Sequence, residues 1–242
     1  MALIALMRRD STLNESSFLR GRALELLIAV VIVTLIGGYQ DCVAEDENSP
    51  RLFAPGVVSG PADEQSPAFV PDGKSVYFTR RNASAATILK STFANGHWLK
   101  PTVASFSGQW RDLEPAMAPD GTYLIFASNR PSIEGGRALD GNYNGKIRPA
   151  AGGNLWRVDH KGDGWGIPTR LSDAINQSTA VFSPSVAANG NLYFMRWVEE
   201  TGGFHLFRSR YESGHYLAAE RVRVGDPPRT KSTLPFHPTR AS

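Results

Sequence analysis

The sequence predicts an all-β fold built from repeated antiparallel units, and three observations support this prediction. The chain of 242 residues contains 23 Gly and 16 Pro, a usage that favours short strands joined by turns over a helical bundle. Hydrophobic residues make up 41% and charged residues 20%, which excludes a disordered or fibrous chain. One turn motif with apolar segments on both sides recurs three times. The single Cys excludes a disulfide framework and a Cys-rich zinc site.

The first predicted element is a hydrophobic helix within residues 1–44, interpreted as a signal peptide or a signal anchor. Four arginines precede thirteen uncharged residues, Leu26–Gly38, and Cys42-Val43-Ala44 supplies the small residues expected before a cleavage point. Because about 20 apolar residues are needed to cross a bilayer, this shorter run favours cleavage. The protein is then expected in the periplasm or outside the cell. If it were not cleaved, the segment would tether the protein to the inner membrane and be its only membrane contact.

The next elements belong to three copies of one hairpin, at residues 65–81, 114–130 and 183–196. In each copy a Pro stands six residues before a Gly, and an Asp or Asn directly precedes that Gly. The Asp or Asn side chain bonds to nearby backbone, and the Gly adopts the positive φ that a tight turn requires. We therefore assign a structural role in turns to Asp72, Gly73, Asp120, Gly121, Asn189 and Gly190.

Each hairpin continues into a second apolar strand and a Gly-aromatic element, so a copy contains about four short strands. The turns are 48 residues apart between Asp72 and Asp120 and 69 apart between Asp120 and Asn189. A repeat of about 40–50 residues with four strands is the spacing of a β-propeller blade. The extra length of the second interval, between Arg130 and Gly153, predicts an insertion loop. The propeller body is expected at residues 45–218. Its blades are expected at about 60–104, 110–172 and 180–224, so the third blade extends slightly beyond the body.

The recurring motif S/E-P-x-h-x-P-D-G-x-x-h-x-F, in which h is apolar, resembles the WD-like β-propeller repeat of TolB-type exported bacterial proteins. The segments that show this similarity best are Phe106–Gly121 and the Ser-Asn-Arg-Pro that begins at Ser128. The resemblance covers about residues 53–216. It implies a propeller, commonly with six blades, that lies in the periplasm or outside the cell and often acts as a platform for protein interactions.

The chain differs from that family in the number of blades that it can form. The 198 residues after the signal segment are enough for about four blades at most, and three are recognisable. We therefore expect an incomplete propeller. Phe236-His237-Pro238 stands where a fourth blade would open, within a basic, irregular tail at residues 225–242. These features favour a chain that is truncated or shifted out of frame relative to longer relatives.

The distribution of charge indicates which partners are expected. Residues 45–218 contain 17 basic and 17 acidic residues. Binding to nucleic acid needs clustered Lys and Arg against phosphates, so this balance argues against a nucleic-acid groove. We expect no cofactor, and we expect a protein or a component of the cell envelope as the partner.

The predicted binding surface lies on one rim of the propeller. It combines the polar and aromatic cluster before the second hairpin with arginines at the corresponding ends of three strands. Trp and Arg are typical of interaction hot spots. The alternative is that Arg-Asp pairs at these positions act as struts between blades. The candidate residues are Trp110, Arg111, Asp112, Glu114, Arg81, Arg130 and Arg196.

A segment of the predicted insertion resembles half of a calcium loop. Asp140, Asn142 and Asn144 follow the pattern D-x-N-x-N-G, but Ala151 occupies the position of the bidentate carboxylate. We therefore expect a Gly- and Asn-rich loop here and no metal site.

These observations predict an exported β-propeller that acts as a protein-interaction or envelope-binding module. One alternative is a propeller of the carbohydrate-cleaving or peptidase-associated type, although no catalytic residues are predicted. A second alternative is a truncated remnant without an independent function.

Overall fold

The computed structural model describes residues 49–83 and 85–223. The predicted signal segment, its hydrophobic helix and the predicted tail at 225–242 lie outside the described residues. The strands all belong to one compact unit that begins at Leu52. The described residues form an all-β structure whose single helical segment is the 3-10 turn Glu199–Thr201. Among these residues there is no helix long and apolar enough to span a membrane.

Sheet 1 is antiparallel and contains the first hairpin. Its strands follow one another in space as they do along the chain, and the last two, which are only two residues long, both pair with β3. β-Branched and aromatic residues dominate the second strand, as is typical of strands. The strands are β1 (Asp63–Phe69), β2 (Ser75–Arg81), β3 (Ala86–Ala94), β4 (His97–Trp98) and β5 (Thr102–Val103).

Sheet 2 repeats this arrangement with the second hairpin, and a separate two-stranded hairpin lies within it along the chain. Sheet 2 consists of β6 (Asp112–Met117), β7 (Tyr123–Ser128), β10 (Asn154–Lys161), β11 (Gly164–Trp165) and β12 (Thr169–Arg170). The separate hairpin consists of β8 (Gly141–Tyr143) and β9 (Lys146–Arg148).

Sheet 3 contains the third hairpin and has four strands. They are β13 (Val181–Val186), β14 (Leu192–Val198), β15 (Gly203–Ser209) and β18 (Glu220–Arg221). A short hairpin of β16 (Tyr211–Glu212) and β17 (His215–Tyr216) connects β15 to β18. The Gly-aromatic elements predicted from the sequence thus correspond to the two-residue strands β4, β11 and β17.

The three hairpin turns share one geometry. Gly73, Gly121 and Gly190 have φ values of 69°, 73° and 81°. The preceding Asp72, Asp120 and Asn189 each accept a hydrogen bond from the backbone N–H two residues later, at 2.8, 3.0 and 3.1 Å. The hydrogen bonds of Asp120 to the backbone and side chain of Thr122 lower the pKa of its carboxyl. All three side chains therefore act in turns.

Successive sheets bury their apolar faces against each other. Tyr77 and Ile88 of sheet 1 pack with Leu124, Phe126 and Val158 of sheet 2. The opposite face of sheet 2, with Ile125 and Leu155, packs with Val181, Leu192 and Phe194 of sheet 3. As a result, all six residues of β7 are buried. This double burial explains why the central strands are apolar on both faces rather than alternating with polar residues.

The predicted insertion loop contains regular structure that the sequence analysis did not identify. Residues 141–148 form the β8–β9 hairpin, and Asn144 and Gly145 have φ values of 58° and 64°. Two consecutive residues with positive φ make the type of turn that connects strands most tightly, and Asn-Gly is its preferred sequence. The same Asn-Gly pair ends the calcium-like pattern D-x-N-x-N-G.

Candidate functional site

The first strand of every sheet contains the same backbone irregularity. The pairing with the second strand shifts register between Gln65 and Ala68, between Leu113 and Ala116, and between Phe182 and Ser185. At each shift one residue other than Gly has a positive φ: Ser66 (55°), Glu114 (56°) and Ser183 (51°). Such bulges bend a strand and redirect side chains.

The bulges also join one sheet to the next. The backbone N–H of Glu114 donates to Thr79 Oγ1 of sheet 1 at 2.8 Å. The backbone N–H of Ser183 donates to Glu114 Oε2 of sheet 2 at 2.6 Å. Each bond therefore holds the first strand of one sheet against the sheet before it, so β6 contacts β2 and β13 contacts β6.

A cleft of about 400 Å³ opens at this junction, and residues from all three sheets and from the β8–β9 hairpin line it. Its polar lining includes Arg81, Arg111 and Glu114, three of the residues predicted from the sequence. Its apolar walls are made by Leu113, Phe182, Met195 and Phe204, and Tyr143 closes one side. A cleft of this size with apolar walls and a few converging polar groups is typical of a ligand site.

The cleft has an excess of positive charge. Burial lowers the pKa of Arg111, and the nearby guanidinium of Arg81 lowers it further, while Tyr143 and Glu114 act in the opposite direction. Neither Arg81 nor Arg111 forms an ion pair with an acidic residue within the part of the chain that the structure describes. Two like charges therefore share the cleft with one carboxylate, that of Glu114.

Backbone contacts hold both arginines in place. Arg81 is the last residue of β2 and pairs with Asp63 on one side and Ala86 on the other. Arg111 directly precedes β6, and its N–H donates to Asn129 Oδ1 at 2.9 Å. The guanidinium groups thus extend from a rigid frame, although neither is fixed by a side-chain partner in the described residues.

The aromatic wall of the cleft is a packed cluster. The rings of Phe182 and Phe204 are 6.0 Å apart, and Tyr143 lies 6.0 Å from Phe204 and 5.9 Å from Trp197. Arg148 stacks over the Tyr143 ring with its guanidinium carbon 4.9 Å from the ring centre. The β8–β9 hairpin therefore contributes one wall of the cleft.

Asp112 and Arg130 lie outside the cleft and bind each other. Arg130 Nη1 is 3.2 Å from Asp112 Oδ1, and the hydroxyls of Ser128 and Ser107 donate to the same carboxylate at 2.7 and 2.9 Å. Burial raises the pKa of Asp112, and Arg130 and the two serines oppose this shift. Ser107 also accepts the N–H of Ile88 in sheet 1. This geometry agrees with the alternative prediction that the Arg-Asp pair connects neighbouring sheets and has a structural role.

Arg196 and Trp110 also lie outside the cleft lining. Arg196 stacks on the Phe207 ring at 3.7 Å, and burial lowers its pKa. It faces Val181 across the strands, whereas Arg80, the corresponding residue of sheet 1, faces Glu64 and forms an ion pair at 2.9 Å. Trp110 is half-buried in the segment before β6.

In the calcium-like segment, the carboxylate of Asp140 is already bonded to other groups of the protein. Asp140 accepts the N–H of Ala150 at 2.9 Å and forms an ion pair with Arg137 at 2.8 Å, and these bonds lower the pKa of its carboxyl. Asn142 lies in β8 and Asn144 in the turn. In the described residues there is no group of three or more His, Cys, Asp or Glu able to hold a metal.

A second cleft, of about 500 Å³, is larger, but its acidic residue already forms an ion pair with one of its two cationic residues. Gly56, Glu64, Arg80 and Lys100 are among its lining residues. Glu64 binds Arg80 and also accepts the N–H of Gly60. We therefore regard the cleft of Arg81 and Arg111, the arginine cleft, as the candidate site.

Tyr143 and the apolar residues of the arginine cleft are not among the site residues predicted from the sequence. Leu113 and Phe182 occupy equivalent positions directly before the bulge, so aligning the copies on the Glu-Pro and Ser-Pro pairs could have identified them. For Phe204 and Tyr143 no such signal exists, because the packing of the β8–β9 hairpin on sheet 3 brings them to the cleft.

Solved structures to which part of this chain is similar include TolB-like β-propeller proteins, at low sequence identity. TolB from Acinetobacter baumannii is 14% identical with a TM-score of 0.40, over 65% of this chain and 32% of that one. A puromycin-hydrolysing peptidase of Mycobacterium tuberculosis is 16% identical with a TM-score of 0.43, over 74% of this chain and 25% of that one. A putative TolB from Agrobacterium tumefaciens is 17% identical with a TM-score of 0.33, over 68% and 63%.

The chain therefore spans about a third of the length of the first of these structures and a quarter of the second. No family model matches the chain, and no curated protein matches its sequence.

Proposed function

We propose that the protein is an exported, incomplete β-propeller of TolB-like type that binds a protein or an envelope component through the arginine cleft. In this proposal sheets 1, 2 and 3 are three blades, and their first strands face the common axis. The observation that carries the proposal is the convergence of three sheets on one cleft that contains two arginines without an acidic ion-pair partner in the described residues.

The physical support comes from how the site is held. The bulge bonds from Glu114 and Ser183 fix the relative positions of the sheets that supply the cleft. A rigid frame reduces the entropy that a partner's binding must overcome. Arg and aromatic side chains are also the types enriched in the centres of interfaces.

Quantitative capture from the envelope of the source cell tests this function. The tagged full chain is compared with Arg111→Glu, which reverses one charge of the cleft, and with Arg210→Gln. Arg210 is half-exposed, pairs with Glu212, and follows the end of β15 opposite to Phe204, so it serves as the matched control. We expect one protein or envelope component to be captured by the original chain and by Arg210→Gln, and lost with Arg111→Glu. Equal capture by all three chains would refute the site.

Two further measurements address the remaining parts of the proposal. A cooperative thermal transition of the purified chain, followed by far-ultraviolet circular dichroism, is expected for an independent fold and contradicts the idea of a remnant. Export is expected to leave a mature protein that begins after Ala44 in the periplasm or medium, which N-terminal sequencing can detect. Recovery of the protein solely from the cytoplasm would contradict this part.

A further inference from the structure

We infer that the arginine cleft binds a single carboxylate group that is attached to an apolar or aromatic body. This inference rests on the proposed function, because it names the chemistry that the same cleft recognises. It follows from three features: the two guanidinium groups, the position of Glu114 and the composition of the walls.

The first feature is the proximity of the two guanidinium groups. Arg81 and Arg111 line the same cleft and are both half-buried, so their positive charges repel each other there. An anion between them would relieve this repulsion and occupy hydrogen-bond donors that no described acidic residue occupies. The planar guanidinium fork matches the two oxygens of a carboxylate.

The second feature is the charge balance. Among the described residues, Glu114 is the single acidic residue in the cleft lining, and its Oε2 already accepts the backbone N–H of Ser183. Two arginines and one glutamate leave one positive charge. One negative charge on the ligand neutralises this excess, whereas a dianion such as phosphate would exceed it and approach Glu114.

The third feature is the apolar wall. Leu113, Phe182, Met195 and Phe204 surround the arginines, and Phe204 is 38% exposed. An exposed aromatic ring next to charged groups favours a ligand that combines an apolar body with a charged end. A free aromatic acid and the C-terminal residue of a peptide both have this chemistry.

Binding assays with defined probes test the inference on the purified full chain. The probes are N-acetyl-phenylalanine, its uncharged amide, a tetrapeptide that ends in a free phenylalanine carboxylate, its C-terminal amide, and inorganic phosphate. Affinities are measured by isothermal titration calorimetry at low and at high salt. We expect the acids to bind, the amides to bind about tenfold or more weakly, and the affinity of the acids to fall with salt.

Three variants of the cleft sharpen the test. Arg81→Gln and Arg111→Gln should each weaken binding of the acids by about tenfold to a hundredfold, because each removes charged hydrogen-bond donors. Glu114→Gln should strengthen it by roughly twofold to tenfold, because it removes a repelling charge and keeps an oxygen for the Ser183 N–H. Arg210→Gln is expected to bind like the original chain. Circular dichroism of every variant shows whether it has folded.

The outcomes separate the inference from the proposed function. Tighter binding of the tetrapeptide acid than of N-acetyl-phenylalanine identifies a chain terminus as the source of the carboxylate, and tighter binding of N-acetyl-phenylalanine identifies a small acid; both support the inference. Amides that bind as tightly as acids, phosphate that binds more tightly, or weaker binding by Glu114→Gln would overturn it. The probes are defined compounds, so this test can fail even if the envelope capture succeeds, and the reverse is also true.

Discussion

The carboxylate of Glu114 accepts a hydrogen bond from the backbone N–H of Ser183, which lies 69 residues later in the chain, at 2.6 Å. Glu114 itself donates its N–H to Thr79 of the preceding sheet. One residue thus participates in both junctions between sheets. It also lines the arginine cleft, so the stability of the junction and the charge of the site are linked.

Replacing Glu114 with Ala should weaken the junction between sheets 2 and 3. We expect the free energy of unfolding to fall by about 1.5–3 kcal/mol, the usual contribution of a hydrogen bond to a charged group. Glu114→Gln should lower the free energy of unfolding by a smaller amount, because its amide oxygen can still accept the hydrogen bond from Ser183. Urea unfolding measures both, with Glu212→Ala as the control on an exposed pair. Equal stability of Glu114→Ala and the original chain would contradict the importance of this bond.

Asp112→Ala should cause a larger loss of stability than the corresponding substitution of a surface acid. The substitution leaves the largely buried guanidinium of Arg130 without its acidic partner, and breaking a buried ion pair typically costs about 3–5 kcal/mol. Asp173→Ala provides the control, because Asp173 pairs with Arg170 on the surface, where such pairs contribute about 0–1 kcal/mol. Chemical denaturation compares the two variants. Similar effects of both substitutions would show that the Asp112 pair is not a buried strut.

The indole of Trp165 joins sheet 2 to sheet 1. Its Nε1 donates to the Tyr77 hydroxyl at 2.8 Å, and the two rings are perpendicular at 5.6 Å. Trp165→Phe and Tyr77→Phe should each lower the free energy of unfolding by about 1 kcal/mol or more, because each removes this bond. The double variant should lose less free energy of unfolding than the sum of the two single losses, because both substitutions remove the same bond. Strict additivity in this double-mutant cycle would exclude the coupling.

Gly153→Ala should displace Phe182, one of the residues that line the arginine cleft. A Cβ at Gly153 would overlap the Phe182 ring, so the ring must move. We expect a loss of about 1–3 kcal/mol, as is typical of an overpacked site. Gly164→Ala is the control, since a Cβ there has no atom of the described structure within 4 Å. Thermal unfolding measures both, and equal melting temperatures would contradict the contact.

Local features were accessible from the sequence, and features that depend on packing between sheets were not. The turns at Asp72, Asp120 and Asn189 could be predicted because each needs only neighbouring residues. The separation of Arg130 from Arg111 could not, because it depends on which side of the strand end each side chain occupies. Arg130 contacts the buried carboxylate of Asp112, whereas Arg111 lies in the cleft with Arg81.

The acceptor of the junction bond changes from one sheet to the next. Thr79 corresponds in register to Ala127, which has no side-chain oxygen, and in sheet 2 Glu114 accepts the bond instead. Because the donor is main chain, the two copies can diverge at the aligned position and still be joined in the same way. A position-by-position comparison of the copies would therefore score the loss of the threonine hydroxyl as a lost bond, although the acceptor has only moved to another residue. Low sequence similarity between such copies is thus compatible with the same junction between sheets.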